Sequence, residues 1–422
     1  MPFESHVPSI NPEAVPPIAS AREMTSARTA ARVSSADRWL LHTLLRALGN
    51  PAIRVVLWNG ESVCTTDAEP VAALQVKDRR TLLRLAYHPE LAFGESYTDG
   101  RLHVDGNVVG LIETVFRAPV KPWAARLLRR SRRPRDNTLS GSRDNIHRHY
   151  DLGNDFYRLW LDERMVYTCA YFPTAAASLE DAQVAKMEMV CRKVGLRPGC
   201  RVIEAGCGWG ALALHMARQY GVSVRAFNIS HEQIALAREL AEKEGLSNRV
   251  EFVEDDYRNV SGQYDAFVSV GMLEHVGAKH YRELGRVIDR CLPAHGRGFI
   301  HTIGRDRPLP LNVWVEKYIF PGAYPPTLRE MMTILEPFGF SVLDVENLRL
   351  HYAATLRHWL LRFDRAADRV AAMFDDRFVR AWRLYLAGSV VSFTAGSLQL
   401  FQVSFARTQD NTIPWTRAHW YG

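Results

Sequence analysis

No CxxC pair, no Cys/His spacing of the zinc-binding kind and no apolar run of membrane-spanning length occurs in this 422-residue chain. The first two absences argue against a thiol-redox motif and a zinc module. The third argues against a membrane-crossing helix, which needs roughly 18 or more consecutive apolar residues. The first residues also lack the basic, then apolar, then small-residue order of a secretory signal, so a cytoplasmic address is expected. Cysteine is sparse: Cys64, Cys169, Cys191, Cys200, Cys207 and Cys291 are scattered and read as free thiols in a reducing compartment. An acidic excess is missing too. Lys and Arg total 53 against 46 Asp and Glu, for a net charge of +7. That balance favours an anionic partner, nucleic acid or an acidic membrane surface, without choosing between them. What is present is ordinary for a globular protein: 47% hydrophobic and 23% charged residues. The length exceeds one ordinary core, so two domains are expected.

Four regions follow along the chain. Residues 1–35 are rich in Pro, Ala and Ser, have no periodicity up to about residue 31, and read as a disordered tail. Residues 36–118 mix a helical pattern with short strands and suffice for a small, membrane-associated α/β domain. Residues 119–146 form a basic linker carrying Lys121, Arg126, Arg129, Arg130, Arg132, Arg133 and Arg135. Its Trp123, Leu127 and Leu128 suit anchors at an anionic membrane surface; a merely solvated linker accounts equally well for the charge. Residues 147–422 form the remainder.

In that remainder apolar strands alternate with helical patterns. The strands are RVIEAG (201–206), VSVRAFNI (222–229), VEFVEDD (250–256), YDAFVSV (264–270) and GRGFIHTIG (296–304). Helical patterns cover 212–220, 232–244 and 279–292. Strands separated by helices predict an α/β fold with a parallel sheet covered on both faces.

EAGCGWG, residues 204–210, lies where the first of these strands meets its helix. Gly206 and Gly208 permit a tight turn and close approach of backbone to a ligand. The dinucleotide fingerprint needs G-x-G-x-x-G and an acid after the second strand; this chain has Ala211 and Asn228 there. Glu204 and the acidic Glu254, Asp255 and Asp256 suit a cationic or amine-bearing ligand instead. Together these features resemble a class I S-adenosylmethionine-dependent methyltransferase, which places Asp256 at the adenine amine with Tyr257 nearby.

The fourth strand then ends in VSVGMLEHVG (268–277), with Glu274 and His275 side by side. Three segments set this stretch in context: HRHYDLGNDFYRLWLDERMVYTCAYF (147–172), GMLEHVG itself, and FIHTIG followed by NVWVEKYIFPGAYPPTLREM (299–304 and 312–331). In this order and spacing they resemble the cyclopropane-fatty-acyl-phospholipid synthase family. ENLRLHYAATLRHWLLRF (346–363), SLQLFQVSFAR (397–407) and GESYTDGRL (94–102) are similar to further parts of it, so the likeness spans roughly residues 50–410. It implies a Rossmann-like catalytic domain with a mostly parallel seven-stranded sheet after a small N-terminal domain, and it suggests a homodimer.

It also implies chemistry on an unactivated alkene. The π electrons of a cis double bond in a membrane phospholipid acyl chain attack the sulfonium methyl of S-adenosylmethionine. A carbocation forms, a base removes a proton from the transferred methyl, and a cyclopropane ring closes. The base is taken to be a bound bicarbonate ion. On the family pattern Cys169, Glu274, His301, Tyr352 and the backbone at Ile303 hold it. Tyr167, Thr168, Glu204, Gly206, Gly208, Asn228, Ile229, Gln233, Asp256 and Tyr257 hold the methyl donor. The family usually has Ser at Thr168, often Thr at Asn228 and commonly Asp at Glu204. Tyr318, Phe320, Tyr324 and Trp359 are candidates for an acyl tunnel. His275 is expected to orient structure and is not placed against the reacting groups.

Apart from the resemblance, Cys169, His301 and Tyr352 each read as ordinary core residues. Chemistry favours a buried base for any alkylated alkene, because water would trap the cation. A carboxylate beside an anion also requires a shared proton, so coupled protonation of Glu274, His301 and bicarbonate is expected. Methyl or methylene branching of the same alkene shares the first step. A nucleic-acid methyltransferase would need a basic catalytic mouth with base-stacking aromatics, and the region after the fifth strand is apolar instead, so nucleic acid is not expected as a partner. A non-catalytic lipid-binding protein would have no use for Glu274, His301 and Tyr352.

Overall fold

The computed structural model describes residues 32–121 and 152–421. Residues 1–31 of the sequence-predicted tail (1–35) and nearly all of the basic linker lie outside the described residues; the last two residues assigned to the tail, Ser34 and Ser35, instead cap and begin the first helix. The described chain forms two compact units.

The first unit contains residues 32–121, Pro173–Ala177 and Phe374–Gly388. Its sheet has the order β2-β1-β3-β4, from strands Ser62–Val63 (β2), Arg54–Val56 (β1), Ala72–Val76 (β3) and Leu102–Gly106 (β4). The helix Ser35–Ala47 starts with a capping box: the Ser34 hydroxyl accepts from the Asp37 N–H and the Asp37 carboxylate accepts from the Ser34 N–H. The helix Val108–Arg117 starts on Asn107, whose side chain accepts from the N–H groups of Val109 and Gly110. Within this unit Arg377 pairs with Asp99 at 2.9 Å, and Arg380 donates to the Thr98 carbonyl at 2.8 Å.

The second unit is built on a seven-stranded sheet of order β10-β11-β9-β8-β5-β6-β7. The strands are Arg201–Ala205 (β5), Ser223–Asn228 (β6), Val250–Glu254 (β7), Ala266–Val270 (β8), Arg297–Gly304 (β9), Phe340–Asn347 (β10) and Gln399–Arg407 (β11). Pairs β5–β6, β6–β7, β5–β8 and β8–β9 are parallel, whereas β11 runs antiparallel to both β9 and β10. All five sequence-predicted strands are present, at boundaries within two residues of expectation. The parallel strands read as continuous apolar runs because helices cover both faces; every residue of β8 is buried.

Chain order reverses at β5: β6 and β7 extend to one side, β8 and β9 to the other. At such a switch the loops leaving two neighbouring strands diverge and open a crevice at their carboxyl ends. One face is filled by apolar residues around Met187, Val190 and Met216, the other by those around Phe267, Leu284 and Ile334. The first of these faces is crossed by the helix Leu179–Val194. Its N-cap Ser178 accepts from the Asp181 N–H, and it ends at Gly195 in the left-handed region. On this helix Gln183, Lys186 and Lys193 are buried with Val190. Their spacing of three, four and three residues puts them on one stripe.

Candidate active site

The crevice at the β5/β8 switch is a cavity walled by three stretches of chain. The first is the turn after β5. Gly206, Gly208 and Gly210 all have positive φ, at +86°, +53° and +85°. A Cβ on Gly206 would stand 2.9 Å from the Met272 Cβ, and one on Gly210 would stand 2.6 Å from the Phe252 ring. Nothing lies within 4 Å of a Cβ on Gly208, so its backbone faces open space. Gly206 and Gly210 therefore close the turn against its neighbours, while Gly208 leaves room for a ligand. Beyond the turn, Trp209 donates from its indole to the Asn154 side chain at 2.7 Å. At the end of β6, Asn228 donates to Gln233 at 2.7 Å and to the Gly208 carbonyl at 3.3 Å.

The second wall is residues 165–168. The helix Leu179–Val194 ties this segment down: Gln183 donates to the carbonyls of Val166 (3.2 Å) and Thr168 (2.9 Å), and the Lys186 ammonium donates to the Thr168 hydroxyl at 3.0 Å. Lys186 is 1% exposed. Burial pulls its pKa down to about 8, opposed by the carboxyls of Asp162 and Glu204 and by the Cys169 and Cys191 thiols. Glu204 is pushed up to about 8 by burial, against the pull of Lys186, and its Oε2 has no partner among the described residues. This carboxyl stands at the floor of the cavity.

That shift carries a testable consequence. The folded chain keeps the Glu204 proton over a range in which the unfolded chain has lost it. Its stabilising contribution is complete below the ordinary value of 4.5 and is lost as pH rises through about 8. The stability difference between parent and Glu204→Gln is thus expected to drift steadily between pH 5 and 8, with the parent losing ground as pH rises. Urea midpoints at both ends of that window test it; a pH-independent difference would show that Glu204 is ionised throughout.

The third wall is residues 270–272 with His275. Here the strand end VSVGMLEHVG takes a definite form. β8 runs out through Gly271, φ +76°, into a 3₁₀ turn, Leu273–His275. Glu274 points inward, 6% exposed, and its Oε1 accepts a 2.5 Å hydrogen bond from the Ile303 N–H. Burial pushes this carboxyl up to about 7, the Ile303 bond working in the opposite direction. Its Oε2 is buried without a partner among the described residues. His301 lies two residues earlier on β9, 1% exposed, and its carbonyl accepts from the Gly271 N–H at 2.9 Å. Burial, and then the charges of Lys186 and Lys193, hold this imidazole well below its usual pKa. Its Nε2 also has no protein partner among the described residues.

The remaining expected residues have surroundings of their own. Cys169 is fully buried and donates to the Ala170 carbonyl at 3.2 Å, with the Leu348 carbonyl at 3.9 Å. Burial raises this thiol far above its ordinary pKa and favours its protonated form. Leu348 caps the helix Arg349–Arg365, which carries Tyr352 one turn on. The Tyr352 ring meets Trp359 edge-on at 6.0 Å, and Trp359 lies 5.2 Å from Tyr167. Tyr167, Thr168, Glu204, Gly206, Gly208, Asn228 and Gln233 all line the cavity; Ile229, Asp256 and Tyr257 do not. The Asp256 carboxylate instead caps a short turn by accepting from the Arg258 N–H at 2.9 Å. Of the tunnel candidates, Trp359 is fully buried in the aromatic cluster, Phe320 is 6.0 Å from His275, and Tyr324 donates to Glu330. Tyr318 is 42% exposed.

Lys186, Trp209 and Met272 line the cavity without having been singled out in the sequence, and His275, expected only to orient structure, lines it too. Burial pushes the His275 imidazole down to about 4. A signal for Lys186 did exist: three polar residues, Gln183, Lys186 and Lys193, sit on the otherwise apolar face of one helix. Reading it required knowing that this face is the buried one.

Comparison with known proteins sets this site among relatives. The family model described as mycolic acid cyclopropane synthetase matches residues 138–403, and a domain of unknown function matches residues 40–121. The chain is 37% identical to the cyclopropane-fatty-acyl-phospholipid synthase of Escherichia coli over 81% of this chain and 90% of that protein. It is 33% identical to the tuberculostearic acid methyltransferase UfaA1 of Mycobacterium tuberculosis over 86% and 90%. The crystal structure of the mycolic acid cyclopropane synthase CmaA1 complexed with SAH and CTAB superimposes with a TM-score of 0.59 at 29% identity, covering 62% of this chain and 97% of that one.

Proposed function

The chain belongs to the mycolic acid cyclopropane synthetase family and is an S-adenosylmethionine-dependent methyltransferase, and from that premise we propose that it converts cis double bonds of phospholipid acyl chains into cyclopropane rings. The observation that carries the reading is a pair of buried polar atoms without partners among the described residues, Glu274 Oε2 and His301 Nε2, on elements joined by the Ile303–Glu274 and Gly271–His301 hydrogen bonds next to the cavity-lining Gly271 and His275. Buried polar atoms left unpaired cost about 1–3 kcal/mol each, so the pair marks a place built for a small polar guest. An ion that both accepts and donates hydrogen bonds suits a neutral imidazole on one side and a carboxyl group on the other. Bicarbonate has that chemistry.

When bound, S-adenosylmethionine supplies an electrophilic methyl group and bicarbonate a proton acceptor. The residues of the chain do the rest. The backbone at Gly206 and Gly208, with Asn228, Gln233, Tyr167 and Thr168, cradles the donor, and Ile229, Asp256 and Tyr257 extend that cradle. Glu274, His301, Cys169, Tyr352 and the Ile303 backbone hold the acceptor. Glu274, pushed up to about 7, shares a proton with it and removes the repulsion of two adjacent anions. The cluster of Tyr167, Tyr352 and Trp359 excludes water and offers ring faces to a positive centre. The arginine-rich segment around Arg129–Arg133 brings the enzyme to the anionic face of a bilayer.

The test is direct. With methyl-labelled donor and vesicles of monounsaturated phospholipid, the acyl chains are expected to gain one CH₂ and lose their double bond. A saturated or methylene-branched product, seen by NMR of the methyl esters, would replace ring closure with branching. Label recovered only in added RNA would overturn the lipid reading.

A further inference from the structure

His301, Gln402 and Glu346 form a row across three strands. Gln402 of β11 lies directly opposite His301 of β9, and Glu346 of β10 lies directly opposite Gln402. Residues directly opposite in a sheet share a face, so the three side chains stand side by side. Lys193 approaches from the helix Leu179–Val194 and bridges the far end. Its ammonium is 2.5 Å from Glu346 Oε2, 3.6 Å from Asp344 Oδ2 and 2.9 Å from Gln402 Oε1. Gln402 Nε2 is in turn 3.2 Å from His301 Nδ1.

The hydrogen-bonding inventory of these groups leaves one arrangement. A lysine ammonium carries donors only, so the atom of Gln402 facing it is the carbonyl oxygen. The amide nitrogen, also a donor, then faces His301 Nδ1. Nδ1 must accept, and in a neutral imidazole the proton therefore sits on Nε2. Flipping the amide would set NH₂ against NH₃⁺ and leave the oxygen on the imidazole. A protonated imidazole would set N–H against NH₂; burial and the nearby lysine charges disfavour that form as well.

We propose that Lys193 and Gln402 are positioning residues that lock His301 as its Nε2–H tautomer and aim a hydrogen-bond donor at the reaction chamber. Lys193 sets the amide, the amide sets the tautomer, and the tautomer sets the donor. The deduction of the tautomer uses protein atoms alone; only the identity of the group that meets Nε2–H rests on the proposed reading, in which it is the anionic proton acceptor. Lys193 is in turn held by Glu346 and Asp344, whose side chains are 24% and 12% exposed. The row thus runs from the protein surface to the unpartnered Nε2.

The experiment is a long-range ¹H–¹⁵N correlation spectrum of the full chain labelled with ¹⁵N-histidine, with His301→Asn used to assign the signal. The parent is expected to show the Nε2–H pattern for His301. Gln402→Glu, which presents an acceptor to Nδ1, is expected to move a proton onto Nδ1. Gln402→Leu is expected to give a tautomer mixture and to lower turnover about tenfold to hundredfold, the scale seen when a metal-ligating histidine loses its outer partner. Lys193→Met, which frees the amide to flip, should act in the same direction. S-adenosylhomocysteine affinity of Gln402→Leu is expected to stay near the parent value, which distinguishes positioning from collapse of the fold. An Nδ1–H pattern in the parent, or unchanged tautomer and turnover in Gln402→Leu, would overturn the proposal. Failure of the proposed reaction would appear differently, as an absent lipid product with the tautomer intact.

Discussion

Glu274→Gln is expected to lower turnover about a hundredfold or more, the scale of a lost proton-transfer partner, while leaving S-adenosylhomocysteine affinity nearly unchanged. The substitution is close to isosteric, and its amide oxygen still accepts the Ile303 N–H that anchors the parent side chain. What it removes is the ability to hold or release a proton at Oε2, the atom with no partner among the described residues. Glu274 itself is not a lining residue of the donor cavity, which is why the two measurements should separate. Initial rates on phospholipid vesicles, paired with calorimetric titration, decide the matter. Equal losses in both would make Glu274 a structural residue and undo its catalytic role.

The second large effect is expected at Lys186. Lys186→Met keeps most of the buried stem but deletes the ammonium. Asp162 then keeps its backbone donors, the N–H groups of Arg164 and Val166, and loses its cationic neighbour. Thr168 loses the donor to its hydroxyl. Lys186 and Asp162 influence each other through space, and removing one of two such buried charges costs up to about 3 kcal/mol, because the remaining charge stays out of water without compensation. Urea unfolding is expected to show a loss of that size. Donor affinity should fall as well, since Lys186 ties down the segment that walls the cavity. A stability change under about 0.5 kcal/mol, within the range of ordinary surface substitutions, would mean that the ammonium is not part of the buried network. Lost stability with intact affinity would leave the network standing and detach it from the donor site.

Much of this was open to reading beforehand. The five parallel strands announce themselves as apolar runs because helices cover both of their faces, and a periodicity signal is local to the run. The turn at Gly206–Gly210 is legible for a similar reason: positive φ is a property of single residues, and glycine is the cheap solution. Most of the expected donor-site residues line the cavity; Ile229, Asp256 and Tyr257 stand outside its lining, where the Asp256 carboxylate also caps the next turn.

By itself, then, the sequence determined the α/β alternation, the glycine turn and the carboxyl end at which Glu274 emerges, since each depends on neighbours a few residues away. The tertiary structure alone decided which charges are buried and with whom they pair. Lys193 meets Gln402 across 209 residues of chain, and Gln402 meets His301 across 101. Those partnerships follow from the register of β11 between β9 and β10, and a one-residue slip would turn Gln402 to the opposite face. Spacing along the chain carries no trace of that register, which is fixed only when the strands pack.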